Sequence, residues 1–461
     1  MKHLNNHAAF VFALMTAVYF CCSETASASP KGVFEKDGCT VRAFDLEIPE
    51  SEYLPYGGGS AKLFPRGIPI GVGSGLTYLE TRPDGTLLFY TVSDRGPNTN
   101  TPVFVSSDGS RFATKAFLIP DNTPRIGIIA VSSDAVLLNG TKPLTDLSGR
   151  KITGLPRVPG TVGYTGEKAL SETLHVLDYD PEGLDPEGID IDKSGSLWLC
   201  DESGPFIVNV DAASGKVLKT IAPGKELPEI LTKRTPNRGF EGIAVTPSGK
   251  ILAAVQSILD VDGSVKKSPA SFIRLVLFNP GDNSVKTFAY PHDQEAYKRN
   301  SDAKIGDLAA IDESRFLVVE QGKGKDKKMR NLVYEIDISG ADDITNLTAK
   351  DGKLPEMLIK DDIRALGTAF VSKKLVADLR KLGWTAEKAE GLAVIDKATI
   401  AVCSDNDFGV AASLSEDLMD ACELHEDGRI YKDGKIVTDA YSALPLNEKS
   451  ALWIIKLPEN L

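Results

Sequence analysis

The fold of this chain is written most clearly in Asp185-Pro186-Glu187-Gly188-Ile189-Asp190-Ile191-Asp192-Lys193-Ser194-Gly195-Ser196-Leu197-Trp198-Leu199-Cys200-Asp201-Glu202. An acid and a glycine open a short apolar run. A turn at Asp192 to Gly195 sends a second apolar run back, so the two runs form an antiparallel hairpin. The start of one strand and the end of the other then share one end. Glu187 and the Asp201-Glu202 pair, 14 and 15 residues apart, should be neighbours in space.

Working outward, the phrase recurs. Phe240-Glu241-Gly242-Ile243-Ala244-Val245 returns through Ile251 to Gln256-Ser257. Ala389-Glu390-Gly391-Leu392-Ala393-Val394 returns through Ile400 to Ser404-Asp405-Asn406-Asp407. Gly306-Asp307-Leu308-Ala309-Ala310, its acid moved one place along, returns to Glu320-Gln321. Ser74-Gly75-Leu76-Thr77-Tyr78 returns to Ser93-Asp94-Arg95-Gly96-Pro97. The last four copies start 54, 65 and 84 residues apart, at Glu187, Glu241, Gly306 and Glu390. Units of four strands at such spacing are propeller blades.

Third strands are visible at 205–210, 272–278 and 332–337, and fourth strands at 216–221 and 284–290. The last hairpin lacks its outer strands. Residues 451–457 and, from the other terminus, 39–48 can supply them and close the ring without free edges. The expectation is an all-β single propeller of five or six blades over residues 29–461. The stretch 120–180 is either the end of the first blade with an insertion or a degenerate sixth blade. In 366–382 the spacing of Leu375, Val376, Leu379 and Leu382 predicts a helix stopped by Gly383. The basic run 322–330 reads as a solvated loop, the alternative being an anion contact.

Residues 1–28 read as a cleaved secretory signal: Lys2, an apolar run over 8–22 and Ala26-Ser27-Ala28 as cleavage site. Tyr19-Phe20 before Cys21-Cys22 lack the small residues that lipid attachment favours. A secreted or periplasmic protein is expected. No other run is long enough to span a membrane. A formal charge of −12 argues against a nucleic-acid partner. Four cysteines remain after the signal. Cys200 and Cys403 hold matching places in two repeats and should be buried free thiols, while Cys39 and Cys422 could pair.

The set Ser93-Asp94-Arg95-Gly96-Pro97-Asn98, Pro186-Glu187-Gly188-Ile189, Asp201-Glu202-Ser203-Gly204-Pro205, Phe240-Glu241-Gly242, Asp307-Leu308-Ala309-Ala310 and Lys388-Ala389-Glu390-Gly391 resembles the phytase-like propeller family described as "esterase-like activity of phytase". The resemblance runs over about 55–457 and implies hydrolysis of phosphoric esters or phosphodiesters.

Read as chemistry, every motif acid should gather at one propeller mouth, where carboxylates would repel unless a cation joined them. Oxygen-only ligands favour Ca²⁺ over Mg²⁺, and both over Zn²⁺. The metal candidates are Asp94, Glu187, Glu241, Asp307, Glu320, Glu390 and Asp405. The catalytic candidates are Glu187, Asp201, Glu202, Glu241 and Glu390. Arg95, Arg238 and Lys388 stand beside acids and would hold an anionic substrate. His175, His292 and His425 lie outside every motif. The expected partner is a small-molecule ester or phosphoester, and a monomer is expected. Two other readings share this pattern: a lactonase or carboxylic-ester hydrolase, and a binding propeller with a structural cation.

Overall fold

The computed structural model of the protein describes residues 31–437, 441–446 and 448–461; the leader expected at 1–28 lies outside them. The chain is mostly β and propeller-like. Five antiparallel sets of four strands follow one another. The first is Gly75–Thr81, Leu87–Val92, Arg125–Val131 and Val136–Pro143. The second is Pro186–Ile191, Ser196–Asp201, Ile207–Asp211 and Val217–Ile221. The third is Phe240–Val245, Ile251–Val255, Ile273–Asn279 and Ser284–Tyr290. The fourth is Lys304–Ala310, Arg315–Lys323, Met329–Asp337 and Ser372–Asp378.

The fifth set joins the two ends of the chain. Gly391–Asp396, Thr399–Cys403 and Ala451–Lys456 are completed by Cys39–Glu47, which pairs from Thr40↔Lys456 to Asp45↔Ala451. Leu46 and Glu47 then run parallel to Val136 and Leu137, tying the fifth set to the first. Trp453, fully buried on the joining strand, meets Trp384 and Phe34 edge to face, with ring centroids 5.1 and 5.8 Å away. Each such pair contributes about 0.5–1.5 kcal/mol beyond its burial.

The first strands of the sets pack side by side. A Cβ on Gly75 would fall 2.7 Å from Gly188 Cα, one on Gly242 2.7 Å from Leu308 N, one on Gly306 2.3 Å from Ala389 O, and one on Gly391 2.9 Å from Leu76 Cβ. The repeated glycine is therefore a requirement of close backbone approach. Apolar side chains fill the wedges between sets: Ile243, Ile273 and Phe278 of the third pack with Ile207 of the second and with Ile305 and Phe316 of the fourth.

Three long connections leave the mouth ends of strands, at 93–124, 144–185 and 404–450, and fold together. Val103–Val105 runs parallel to Glu423–His425, and Thr114–Phe117 parallel to Lys168–Ser171. They bury their own cluster of Phe104, Ala116, Leu170, Cys422, Leu424 and Ile430. This cap was not foreseen. Residues 125–143 complete the first set, so 144–185 is insertion and no sixth set exists among the described residues.

The helix expected over 366–382 is corrected. Ser372–Asp378 is the fourth strand of its set, in register Tyr334↔Leu375, and only Leu379–Leu382 is helical. The free edge of Met329–Asp337 offers a ladder that outweighs the local apolar spacing. Leu379 and Leu382 are buried, and Gly383 at φ +112° stops the turn. The loop at 322–330 shrinks to the tip of a hairpin, because strands run to Lys323 and from Met329. Cys200 and Cys403 are buried and unpaired, as expected. Cys39 and Cys422 are also free, since one opens the closing strand, packed into the core, and the other lies in the cap.

Candidate active site

The second and third sets open with the same irregularity. Pairing passes from Pro186↔Asp201 to Gly188↔Cys200, leaving Glu187 as an extra residue. It passes from Phe240↔Val255 to Gly242↔Ala254, leaving Glu241 extra. A bulge re-aims its residue, here toward the mouth. Two trios of carboxylates result. In Asp185, Glu187 and Glu202, and again in Asp94, Asp405 and Asp407, one oxygen from each residue lies within 4.8 Å of the others.

The trios are neighbours of each other and of Glu241 and Glu390. Burial, then Asp405 and Asp185, holds Asp94 well above the usual carboxylate range. Burial, then Asp185 and Glu241, does the same for Glu187, and burial with Glu202 and Glu390 for Glu241. Burial and Asp185 push Glu202 up to about 8. Burial pushes Glu390 up to about 7, although Lys388 opposes it. Burial and Asp407 raise Asp405. Asp407 alone goes down: burial pushes it up, but the charge and hydrogen bond of Lys388, with Lys115 and Arg95, together outweigh it. So many buried carboxylates cannot all be charged without a counter-cation.

Three of their oxygens, Asp185 Oδ2, Glu241 Oε2 and Glu390 Oε2, are buried and accept no hydrogen bond. The first lies 3.5 Å from Arg95 Nε and the last 3.4 Å from Lys388 Nζ. A donor set made only of carboxylate oxygens, with lone pairs left over, fits a hard divalent cation; neither trio contains a His or Cys to favour zinc.

Not every candidate joins this group. Asp201 spends its oxygens on backbone, accepting from Asp185 N at 2.6 Å and Gly204 N at 2.5 Å. It buttresses Asp185. Asp307 accepts from Leu308 N and Leu392 N, both at 2.8 Å, and so ties the fourth set to the fifth. Its shift by one place swaps the acid with the glycine, so Gly306 stands where the second, third and fifth sets carry Glu. Glu320 accepts from Tyr290 Oη at 2.7 Å, Lys373 Nζ at 2.8 Å and Asp293 N at 3.1 Å. Neither Asp307 nor Glu320 belongs to a trio; their oxygens are taken up by contacts within and between the sets.

The three basic candidates also part company. Arg95 is 8% exposed and committed: Nη1 meets Glu167 Oε1 at 3.0 Å, and its backbone N–H donates to Asp185 Oδ1 at 3.1 Å. It braces acids and is not a free anion clamp. Lys388 bridges Glu390 at 3.4 Å and Asp407 at 3.1 Å. Arg238 donates to Ser301 O at 2.8 Å and lines a cavity of about 420 Å³ with Glu241, Glu390, Lys388 and Lys304.

Asp185, Asp407 and Glu167 were missed. Asp185 stands two places before Glu187 and Asp407 two after Asp405, so proximity in sequence to named candidates pointed to both. Glu167 carried no signal, since only the folding of the cap brings it to Arg95.

Residues 68–408 match the family described as phytase-like, "esterase-like activity of phytase". The chain belongs to this family. The matched span of the phytase-like chain takes in both trios, from Asp94 to Asp407. An uncharacterized secreted protein of Arthroderma benhamiae is 26% identical over 360 residues, covering 65% of this chain and 69% of that protein. Solved structures similar to this phytase-like protein include an α-L-arabinofuranosidase from Podospora anserina, at 9% identity over 90% of this chain and 96% of that one, TM-score 0.34. A virginiamycin B lyase from Staphylococcus aureus is 9% identical over 80% of this chain and 99% of that one, TM-score 0.24.

Proposed function

We propose that this protein is a five-bladed propeller acting as a secreted, metal-dependent hydrolase of phosphoric esters. The observation that carries the reading is the meeting of carboxylates in two neighbouring trios, one within the second set and one joining the first set to the fifth, with buried oxygens left unbonded. Structure alone has no need of such repulsion.

Asp185, Glu187 and Glu202 would hold one divalent cation and Asp94, Asp405 and Asp407 another, and an all-oxygen donor set of carboxylates suits Ca²⁺ better than the stricter octahedron of Mg²⁺. When bound, the cation supplies Lewis-acid charge to the ester oxygen. The chain's own groups do the rest. Glu390 Oε2 and Glu241 Oε2, buried without hydrogen bonds beside the cavity, are placed to take a proton from the attacking water. Lys388 fixes Glu390 against Asp407. Asp201 and Arg95 hold Asp185 from two sides. Basic residues around the cavity favour an anionic ester over a neutral lactone.

Secretion is supported by the leader-like residues 1–28 and by the secreted relative. Among the described residues, no helix is long and apolar enough to cross a membrane. The test is a panel of phosphomonoester, phosphodiester, lactone and carboxylic ester, with and without chelator. Chelator-sensitive turnover of a phosphoric ester is expected. Turnover of lactone alone, or turnover indifferent to chelator, contradicts the reading.

A further inference from the structure

Two strand sets lack the acid at the head of their first strand: the first carries Ser74 there and the fourth Gly306. In the fourth set Gly306 occupies the acid's place, and a Cβ there would lie 2.3 Å from Ala389 O, so no side chain can enter. Lys304 stands two places earlier in the same strand. The gap is the cavity of about 420 Å³ described above, lined by seven basic and four acidic side chains. In a protein of formal charge −12, that is a local reversal of sign.

The basic wall is built, not incidental. Arg238 Nη1 donates to Ser301 O at 2.8 Å, which ties the approach to the third set onto residues 298–304. Lys325 N donates to Ala296 O at 2.8 Å, and Tyr297 bridges to Gly324, which ties the 322–329 hairpin tip onto the same segment. Gly322, at φ +139°, approaches Asp302 O so closely that a Cβ would lie 2.3 Å away. Among the described residues, Arg238, Lys298, Lys304, Lys323 and Lys327 form no ion pair within 4.0 Å, in contrast to Arg95. Five cations are thus gathered at one cavity beside Glu241 and Glu390, none of them closed into an ion pair.

We propose that this cavity is the phosphate-binding subsite, with Arg238 and Lys304 at its half-buried side and Lys298 and Lys327 at its exposed rim. The inference rests on the phosphoric-ester reading and deepens it. It moves recognition of the anion from Arg95, which is spent inside the protein, to a lysine-rich wall that belongs to the break in the fourth set. A phosphate group in the cavity would meet charge-assisted donors from Arg238 and these lysines.

The test is calorimetric titration of inorganic phosphate into the full-length secreted protein and its Lys298→Gln/Lys327→Gln variant, each with and without chelator. Both lysines are exposed, so the variant keeps its fold; Lys298→Arg/Lys327→Arg controls for charge. Phosphate should bind the native protein, still bind after chelation, weaken roughly tenfold in the Gln variant, and recover in the Arg variant. Ca²⁺ binding should be the same in all three. Absence of phosphate binding overturns the proposal. So does equal binding in native and Gln proteins, or binding that disappears with chelation, which would place phosphate on the cation. Because binding is read without turnover, a protein that binds phosphate through these lysines but hydrolyses no ester would defeat the hydrolase reading and leave the subsite standing. Hydrolysis unaffected by the lysine changes would do the opposite.

Discussion

Removing the cation should make stability fall as pH rises. Glu390 is pushed up to about 7 and Glu202 to about 8, from an ordinary 4.5. A carboxyl raised in the folded state binds more protons folded than unfolded. Its contribution is complete below about pH 4.5 and is lost as pH rises through the folded value. At about 1.4 kcal/mol per pH decade, each of these two groups loses on the order of 3 kcal/mol between pH 5 and pH 8. An unfolding entropy of about 0.9 kcal/mol per kelvin for a chain of this size turns both into a Tm lower by about 7 °C. Ca²⁺ should reverse the loss, strongly at pH 8 and weakly at pH 5, where protons compete for the same oxygens. The assay is scanning calorimetry at both pH values, with chelator and then with Ca²⁺. A chelated Tm that stays flat or rises from pH 5 to 8, or a larger Ca²⁺ shift at pH 5, refutes the reasoning.

Other outcomes follow from individual contacts. Asp201→Asn replaces an oxygen that accepts a backbone N–H with an amide donor, so it should cost about 2–4 kcal/mol in denaturant unfolding. Arg95→Ala strands Glu167 and Asp185 in the interior and should cost about 3–5 kcal/mol, with equal loss of rate on anionic and neutral esters; a loss confined to anionic esters would return Arg95 to the substrate. Cys200 and Cys403, whose thiols burial pushes up, should resist alkylation until the protein unfolds, and peptide mapping should find no bridge between them.

Local patterning carried much of this molecule. Glu187-Gly188 and Glu241-Gly242 declared strand starts, and alternating apolar residues gave the strands behind them. The pairing of 39–48 with 451–457 followed from counting missing strands. What escaped was set by contacts distant in sequence. Ser372–Asp378 looked helical because only the edge of Met329–Asp337 makes it a strand. The cap depends on parallel pairings such as Val103–Val105 with Glu423–His425, across more than three hundred residues. The same limit applied to the site. Acids at Glu187, Glu202, Glu241, Glu390, Asp94 and Asp405 were legible as mouth residues from hairpin geometry. Asp201, beside Glu202, was not separable from it by type; only its two backbone donors show that it holds the chain. The lysine wall required three separate segments to meet.

The central claim is that the carboxylate trios at the mouth hold a divalent cation. It is tested most directly by titrating Ca²⁺ into chelator-stripped native protein and into Glu187→Gln, which keeps the shape of a trio member and removes its charge. The account predicts binding in the native protein and at least about tenfold weaker binding in the variant, with the fold retained by circular dichroism. Equal Ca²⁺ affinity in the two proteins, or none in either, would contradict it.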